Sequence, residues 1–377
     1  MGQEFFSFQW DNLLLETGFL AVFLAPLQLW PYWSRQRPPS PWVLWALRFL
    51  LFKLMFCSGL VKLLSVDAVW WNLSALQYHY ETQPLPTWIG WWAHQLPPIL
   101  QKASVLGMFV VELGLPFLVF APRRPRLLAF WGISGLMLLI FLTGNYCFFN
   151  LLTVALCLLL LDDAQWLKWL PAAWGKTPEH LPARALRPID ARLLQALAAS
   201  FFIVVGVLQI GALVNRGPSW VGSFQARLAW IMPFRTINHY GLFAVMTRSR
   251  PEIVVEGSFD GNTWLPYEFK WKPGNIHRRP GFVAPHQPRL DWQMWFAALG
   301  DYRQNPWFMR FLARLLEGSP AVTELLEHNP FAGAPPRFIR AVVYEYRFTD
   351  RVTKRASGAW WRREPKGLYC PVMSLRQ

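Results

Sequence analysis

The side chains best placed to do chemistry stand in two settings. In the first, ionisable residues interrupt long apolar runs: Glu16, then Arg48 and Lys53 with Lys62 further along the same run, then Glu112. Charge is costly in hydrocarbon, so such residues face a bundle interior, pair with one another or line a functional pathway. Lys62 lies near the end of its run and is expected to snorkel toward water, whereas Arg48 and Lys53 call for partners such as Glu16 or Glu112. In the second setting, His79, Tyr80, Glu81, Thr82, Gln83 and Pro84 precede Trp88, Trp91, Trp92 and His94. An imidazole and a carboxylate among rings suit proton transfer in an aromatic-walled pocket, with Lys62, His79 and Glu81 as the catalytic candidates. The competing reading is an interfacial belt of Trp and Tyr at headgroup level, which does no chemistry.

A third cluster lies in the carboxy-terminal half. The run RLDWQMWFAA at 289–298 reads as a helix with Arg289 and Asp291 at its start, where a carboxylate suits the exposed amides, so Asp291 is expected to cap it. Trp292, Trp295 and Phe296 recur at helical spacing and form one face, as core or as binding surface. Asn329, Pro330 and Phe331 open a stiff loop, 328–340, before a strand. His239, His277, His286 and His328 are too scattered for a metal site on one element, and no metal or cofactor is expected. The sequence carries no nucleophile elbow, phosphate loop or H-E-x-x-H pattern. Three of the four cysteines lie in apolar segments and none forms a C-x-x-C pair.

The elements that must hold these residues are membrane helices. Apolar residues make up 54% of the 377-residue chain and mean hydropathy is +0.21, more than a soluble fold needs. Spans of adequate length are expected at about 12–30, 42–64, 103–121, 126–143, 146–161 and 193–214. Arg35 and Arg37, then Arg123, Arg124 and Arg126, then the 162–192 linker put positive charge on three alternate connections, which orients those loops to the cytoplasm. The 63–102 loop and the Gly144-Asn145 turn then lie outside. This arrangement leaves Met1 outside as well, so either a further upstream span is expected or Glu16 marks a segment that does not cross.

Beyond residue 215 the pattern becomes one of strands. Runs such as EIVVEGSF and AVVYEYRF alternate with turn residues, and DGNTW at 260–264 marks a hairpin. A helix is expected over about 292–316. The chain is therefore read as a polytopic helical membrane bundle, 1–215, followed by a soluble β-rich domain of α+β or sandwich type, 216–377. That tail holds 23 basic against 12 acidic residues out of a whole-chain net charge of +15, which suits anionic lipid headgroups or an acidic protein partner. Charge alone does not indicate nucleic acid, and none is expected as a partner.

The segments LLETGFLAVFLAP ending at Pro26, HYETQPLP at 79–86, GNYCFFNLLT at 144–153, INHYGLFAVMT at 237–247, YEFKWKPG at 267–274, RLDWQMWFAA and HNPF together resemble the lipase maturation factor family from near the N-terminus to about Tyr369. The resemblance implies a folding or assembly factor that binds an incompletely assembled secreted lipase and releases it, without covalent chemistry. It also implies an endoplasmic reticulum membrane protein with a lumenal tail, or, for a bacterial member, a plasma membrane protein with its tail outside the cell. Relative to that family the chain starts late, and it ends without a lumenal retention signal. More loosely, the Arg48, Gly59 and Lys62 helix resembles DoxX-type membrane proteins, and the helices-then-strands order is similar to vitamin K-dependent carboxylases. That second likeness keeps a membrane enzyme acting on a lipid or quinone as the alternative, with a structural membrane subunit as a third reading. The outer loop and segments 289–298 and 328–340 are the expected client contacts.

Overall fold

The computed structural model describes residues 3–25, 39–169, 189–215, 226 and 230–375. Helix α1 (Gln9–Leu24) is followed by α2 (Pro41–Leu64), the short helices α3 (Leu76–Thr82) and α4 (Trp88–His94), and α5 (Pro98–Leu118). Then come α6 (Arg123–Thr143), α7 (Phe149–Leu158), α8 (Asp163–Trp169) and α9 (Ile189–Asn215). Pro41 and Pro98 open their helices where a missing amide proton costs nothing. Among the described residues α2, α5, α6 and Arg192–Val214 of α9 are long and apolar enough to cross a bilayer, and α7 with α8 forms a further candidate bent by 113°. Part of the expected first span, Arg35 and Arg37, and most of the 162–192 linker lie outside the described residues.

Burial sorts these helices. The apolar window of α2 is 72% buried, against 22%, 22% and 28% for α5, α6 and α9, so α2 is the central post and the others turn apolar faces outward. Such faces are stable against lipid and unstable against water. The protein is an integral membrane protein. At one end of the bundle Arg123 meets Asp162 at 3.1 Å, and the Arg48 guanidinium donates to the Leu159 carbonyl at 3.0 Å. The 63–102 connection, the Gly144-Asn145 turn and the carboxy-terminal domain gather at the opposite end.

That domain contains strands β1 (Pro251–Ser258), β2 (Leu265–Pro266), β3 (Glu268–Phe269), β4 (Leu326–His328), β5 (Phe338–Phe348) and β6 (Trp361–Met373). A four-stranded antiparallel sheet runs in the order β2-β1-β5-β6, with β3 and β4 paired separately. The expected hairpin joins β1 to β2: the Asp260 carboxylate accepts from the Asn262 and Thr263 amides, and Gly261 takes φ +78°. The helix expected over 292–316 is instead two, α10 (Arg289–Ala298) and α11 (Pro306–Leu316), because Gly300 and Asp301 end the first and Pro306 starts the second. Their apolar faces cover one side of the sheet around Ile253, Val255, Met294, Phe308, Leu312 and Ile339. A last helix, α12 (Arg351–Ser357), is closed by the Asp350 carboxylate on the Thr353 amide and by Gly358 at φ +73°.

Candidate functional site

The outer-loop motif is gripped through its backbone. Arg250, wholly buried at the start of β1, donates to the carbonyls of Glu81 at 2.7 Å, Gln83, and Pro84 at 2.9 Å, and pairs with Glu252 at 2.7 Å. Only a planar guanidinium spreads donors widely enough to serve so many acceptors. Glu252 also holds buried Lys272 at 3.0 Å. The Glu81 carboxylate accepts from the Phe348 amide at 2.9 Å and lies 3.8 Å from His94 Nε2, and the Thr82 carbonyl accepts from the Trp295 indole at 2.8 Å. Gln83 donates to the Thr143 carbonyl at 2.8 Å and accepts from the Tyr146 hydroxyl at 2.9 Å, a fit that requires Gly144, since a Cβ there would stand 1.9 Å from Gln83 Oε1. His79 Nε2 lies 3.2 Å from the same hydroxyl. Burial, reinforced by the Lys62 ammonium, pushes the His79 imidazole down to about 4, so it is neutral at physiological pH.

Asn145 completes this junction with four hydrogen bonds. Its amide nitrogen donates to the Leu85 and Gly281 carbonyls and its oxygen accepts from the Val283 and Ala284 amides, at 2.8–3.1 Å. The stretch 79–84 thus joins the bundle to the tail, and Tyr80, Thr82 and Gln83 are buried in doing so.

The two bundle lysines are paired with carboxylates. Lys53 meets Glu16 at 2.7 Å, and the second Glu16 oxygen accepts from the Asn238 amide and the Tyr240 hydroxyl at 2.9 and 2.8 Å. Lys62 does not snorkel as expected. It is buried, 2.7 Å from Glu112, because a π-turn at Val110–Gly114 occupies the segment carrying Glu112 and Gly59 lets Leu113 pack against α2. Arg48 takes a main-chain carbonyl rather than a carboxylate.

Asp291 is not a helix cap. Its carboxylate accepts from the Trp271 and Lys272 amides, both at 2.9 Å, and the N-cap position is Pro288. Burial raises its pKa against the lowering effect of those amides. Arg289 binds Asp11 of α1 at 2.7 and 3.1 Å, and Trp292 packs edge-on to Trp10 at 4.7 Å. Phe296 keeps 39% exposure beside Phe8. Asn329 accepts from the Phe331 amide, Phe331 is buried against Phe259 and Tyr267, and Pro330 is half-buried.

A groove of about 550 Å³ opens where residues Glu4 and Phe5 approach the tail. Phe5, Leu290, Trp307, Phe311 and Val322 make it apolar, and Lys270, Arg310 and Arg314, the last paired with Glu317 at 2.6 Å, bring positive charge to a rim that also holds Glu4. Arg310 and Arg314 are exposed and one helical turn apart. In the lining, buried Gln287 accepts from the Trp10 indole at 2.7 Å while its amide nitrogen has no acceptor among the described residues. Of the motif residues only Arg289 and Asp291 line it; Lys62, His79 and Glu81 do not. Sequence reasoning missed Lys270, Arg310 and Arg314. The signal for the two arginines was the PWFMRFLARLL pattern, apolar on one face with Arg310 and Arg314 on the other.

Residues 1–168 match the family model of the lipase maturation factor transmembrane domain, and residues 236–371 match that of the lipase maturation factor C-terminal domain. The relative lipase maturation factor 2 of Gallus gallus is 38% identical, with the whole chain and 66% of the relative covered. The chain belongs to the lipase maturation factor family. Lipase maturation factor 2 of Homo sapiens is 36% identical over the whole chain and 67% of the relative, and lipase maturation factor 1 of Mus musculus 35% over the whole chain and 68%. This chain spans about two thirds of the length of those lipase maturation factors. No solved structure matches.

Proposed function

We propose that this protein assists maturation of a secreted lipase by holding an incompletely assembled client on the tail side of the membrane. In this reading residues 1–215 cross the membrane with the six expected spans. The tail, 216–377, faces the endoplasmic reticulum lumen, or the cell exterior in a bacterium. The observation that carries the proposal is the groove, whose cationic rim over an apolar floor complements a client segment with carboxylates beside aromatic or aliphatic side chains. The Gln287 amide, without an acceptor among the described residues, supplies a donor for a carbonyl of that segment. Binding and release need no covalent step.

The test co-expresses the full chain with a secreted dimeric lipase in cells lacking their own maturation factor. Arg310→Glu combined with Arg314→Glu is expected to lower secreted active lipase at least tenfold and to abolish co-purification, with the melting temperature unchanged. Undiminished lipase yield overturns the proposal, as does self-association of the wild type that the variant alone loses.

A further inference from the structure

Away from the groove, α12 forms a second basic surface with a different neighbour. It has no buried residue, and Val352 is 80% exposed. The Arg351 guanidinium lies 5.3 Å over the Trp92 ring, and Lys354 Nζ lies 3.7 Å over Trp360 and 5.9 Å from Trp91. Trp91 and Trp92 belong to α4, which ends only four residues before Pro98 opens the membrane helix α5. The Gln95 side chain donates to the Thr349 carbonyl at 3.2 Å, pinning the start of α12 to that connection.

The entry of α5 is itself apolar and uncovered. Trp92 is 46% exposed, Ile99 72% and Leu100 50%, and exposed Lys102 follows on the next turn. Arg351, Lys354, Arg355 and Lys102 therefore lie near the level at which an apolar helix passes into the bilayer. Among the described residues none of the four has a carboxylate within ion-pair distance. The acid next in sequence, Asp350, is engaged in capping the helix. Unneutralised cations beside exposed Trp and aliphatic side chains, at the end of a membrane helix, match a phospholipid phosphate above its acyl chains.

We propose that α12, Trp92 and the first turns of α5 form a binding site for anionic phospholipid in the leaflet that faces the tail. Arg351, Arg355 and Lys102 take the headgroup, and Val352, Trp92 and Ile99 enter the interfacial layer. The site is independent of client binding, since it shares no residue with the groove, and it holds whichever way the bundle is oriented.

The test uses the full chain in a neutral detergent, titrated with phosphatidylserine or phosphatidylcholine, with retained lipid counted by native mass spectrometry and the melting temperature followed in parallel. The wild type is expected to retain phosphatidylserine preferentially and to melt higher with it. Arg351→Glu with Arg355→Glu, both at exposed positions, is expected to weaken phosphatidylserine retention about tenfold or more, while melting in phosphatidylcholine stays the same. Lys102→Gln is expected to weaken retention by a smaller factor. Arg310→Glu with Arg314→Glu is expected to leave retention intact. Equal retention of the two lipids by the wild type overturns the site, as does unchanged phosphatidylserine retention in the α12 variant. Loss of retention in the groove variant alone would also overturn it, by moving lipid binding to the groove.

Discussion

Lys53 and Lys62 in the bundle carry the same charge as Arg310 and Arg314 in the tail, but the first two are sealed against Glu16 and Glu112 while the others stand exposed beside an apolar groove. The contrast separates two uses of a cation. A buried pair with short contacts and no open cavity is architecture, since its free energy is consumed in compensating desolvation. Arg310, an exposed cation above apolar surface, keeps its interaction energy for a partner, and the pair Arg314 makes with Glu317 at 2.6 Å is exposed and costs little to exchange. Intramembrane charge draws the eye first in this sequence, but the bundle lysines are committed to partners within the fold, and the proposed function places recognition at the groove.

The sharpest way to break that contrast is to unpair a bundle charge. Lys62→Ala leaves the Glu112 carboxylate buried without a counter-ion and is expected to cost about 3–5 kcal/mol. Lys62→Met with Glu112→Leu should recover most of that loss in thermal unfolding in detergent. A harmless single change would mean that Lys62 is not structural. Arg250→Lys retains the charge opposite Glu252 but loses the fork that serves three carbonyls, with an expected cost of about 2–3 kcal/mol.

A smaller effect attaches to His79. Its pKa is lowered in the folded state to about 4, so the unfolded chain takes up the proton first as pH falls below about 6.5. The stability this ring contributes is complete above pH 6.5 and drains away toward pH 4. His79→Gln should flatten the melting profile over that window, and an unchanged slope would show that the ring is not enclosed. Smallest of all, Arg310→Glu with Arg314→Glu should shift unfolding by no more than about 0.5 kcal/mol, since both positions are exposed.

The class of the fold was legible because membrane helices announce themselves by length and apolarity, and the β1–β2 hairpin by Asp260-Gly261 between strand-like runs. That Lys53 needs a carboxylate, Glu16 or Glu112, followed from the cost of burying either charge alone, and the fold supplies Glu16. The π-turn that engages Glu112 with Lys62 left no mark in composition, so Lys62 was read as an interfacial residue. Asp291 looked like a cap because its position relative to α10 was visible, while the amides of Trp271 and Lys272 that claim it arrive from 19 and 20 residues away. The groove escaped for the same reason. Its walls come from Phe5, Lys270, Leu290 and Arg310, which only the tertiary fold brings together.

The Asn145 side chain spends all four of its hydrogen bonds on main-chain atoms, three of them in the tail at Gly281, Val283 and Ala284. A connection of that kind works as a bracket and leaves little room for swivel. In the proposed function, whatever the tail carries would then be held in one orientation to the bundle, so a bound protein would be presented in a single pose.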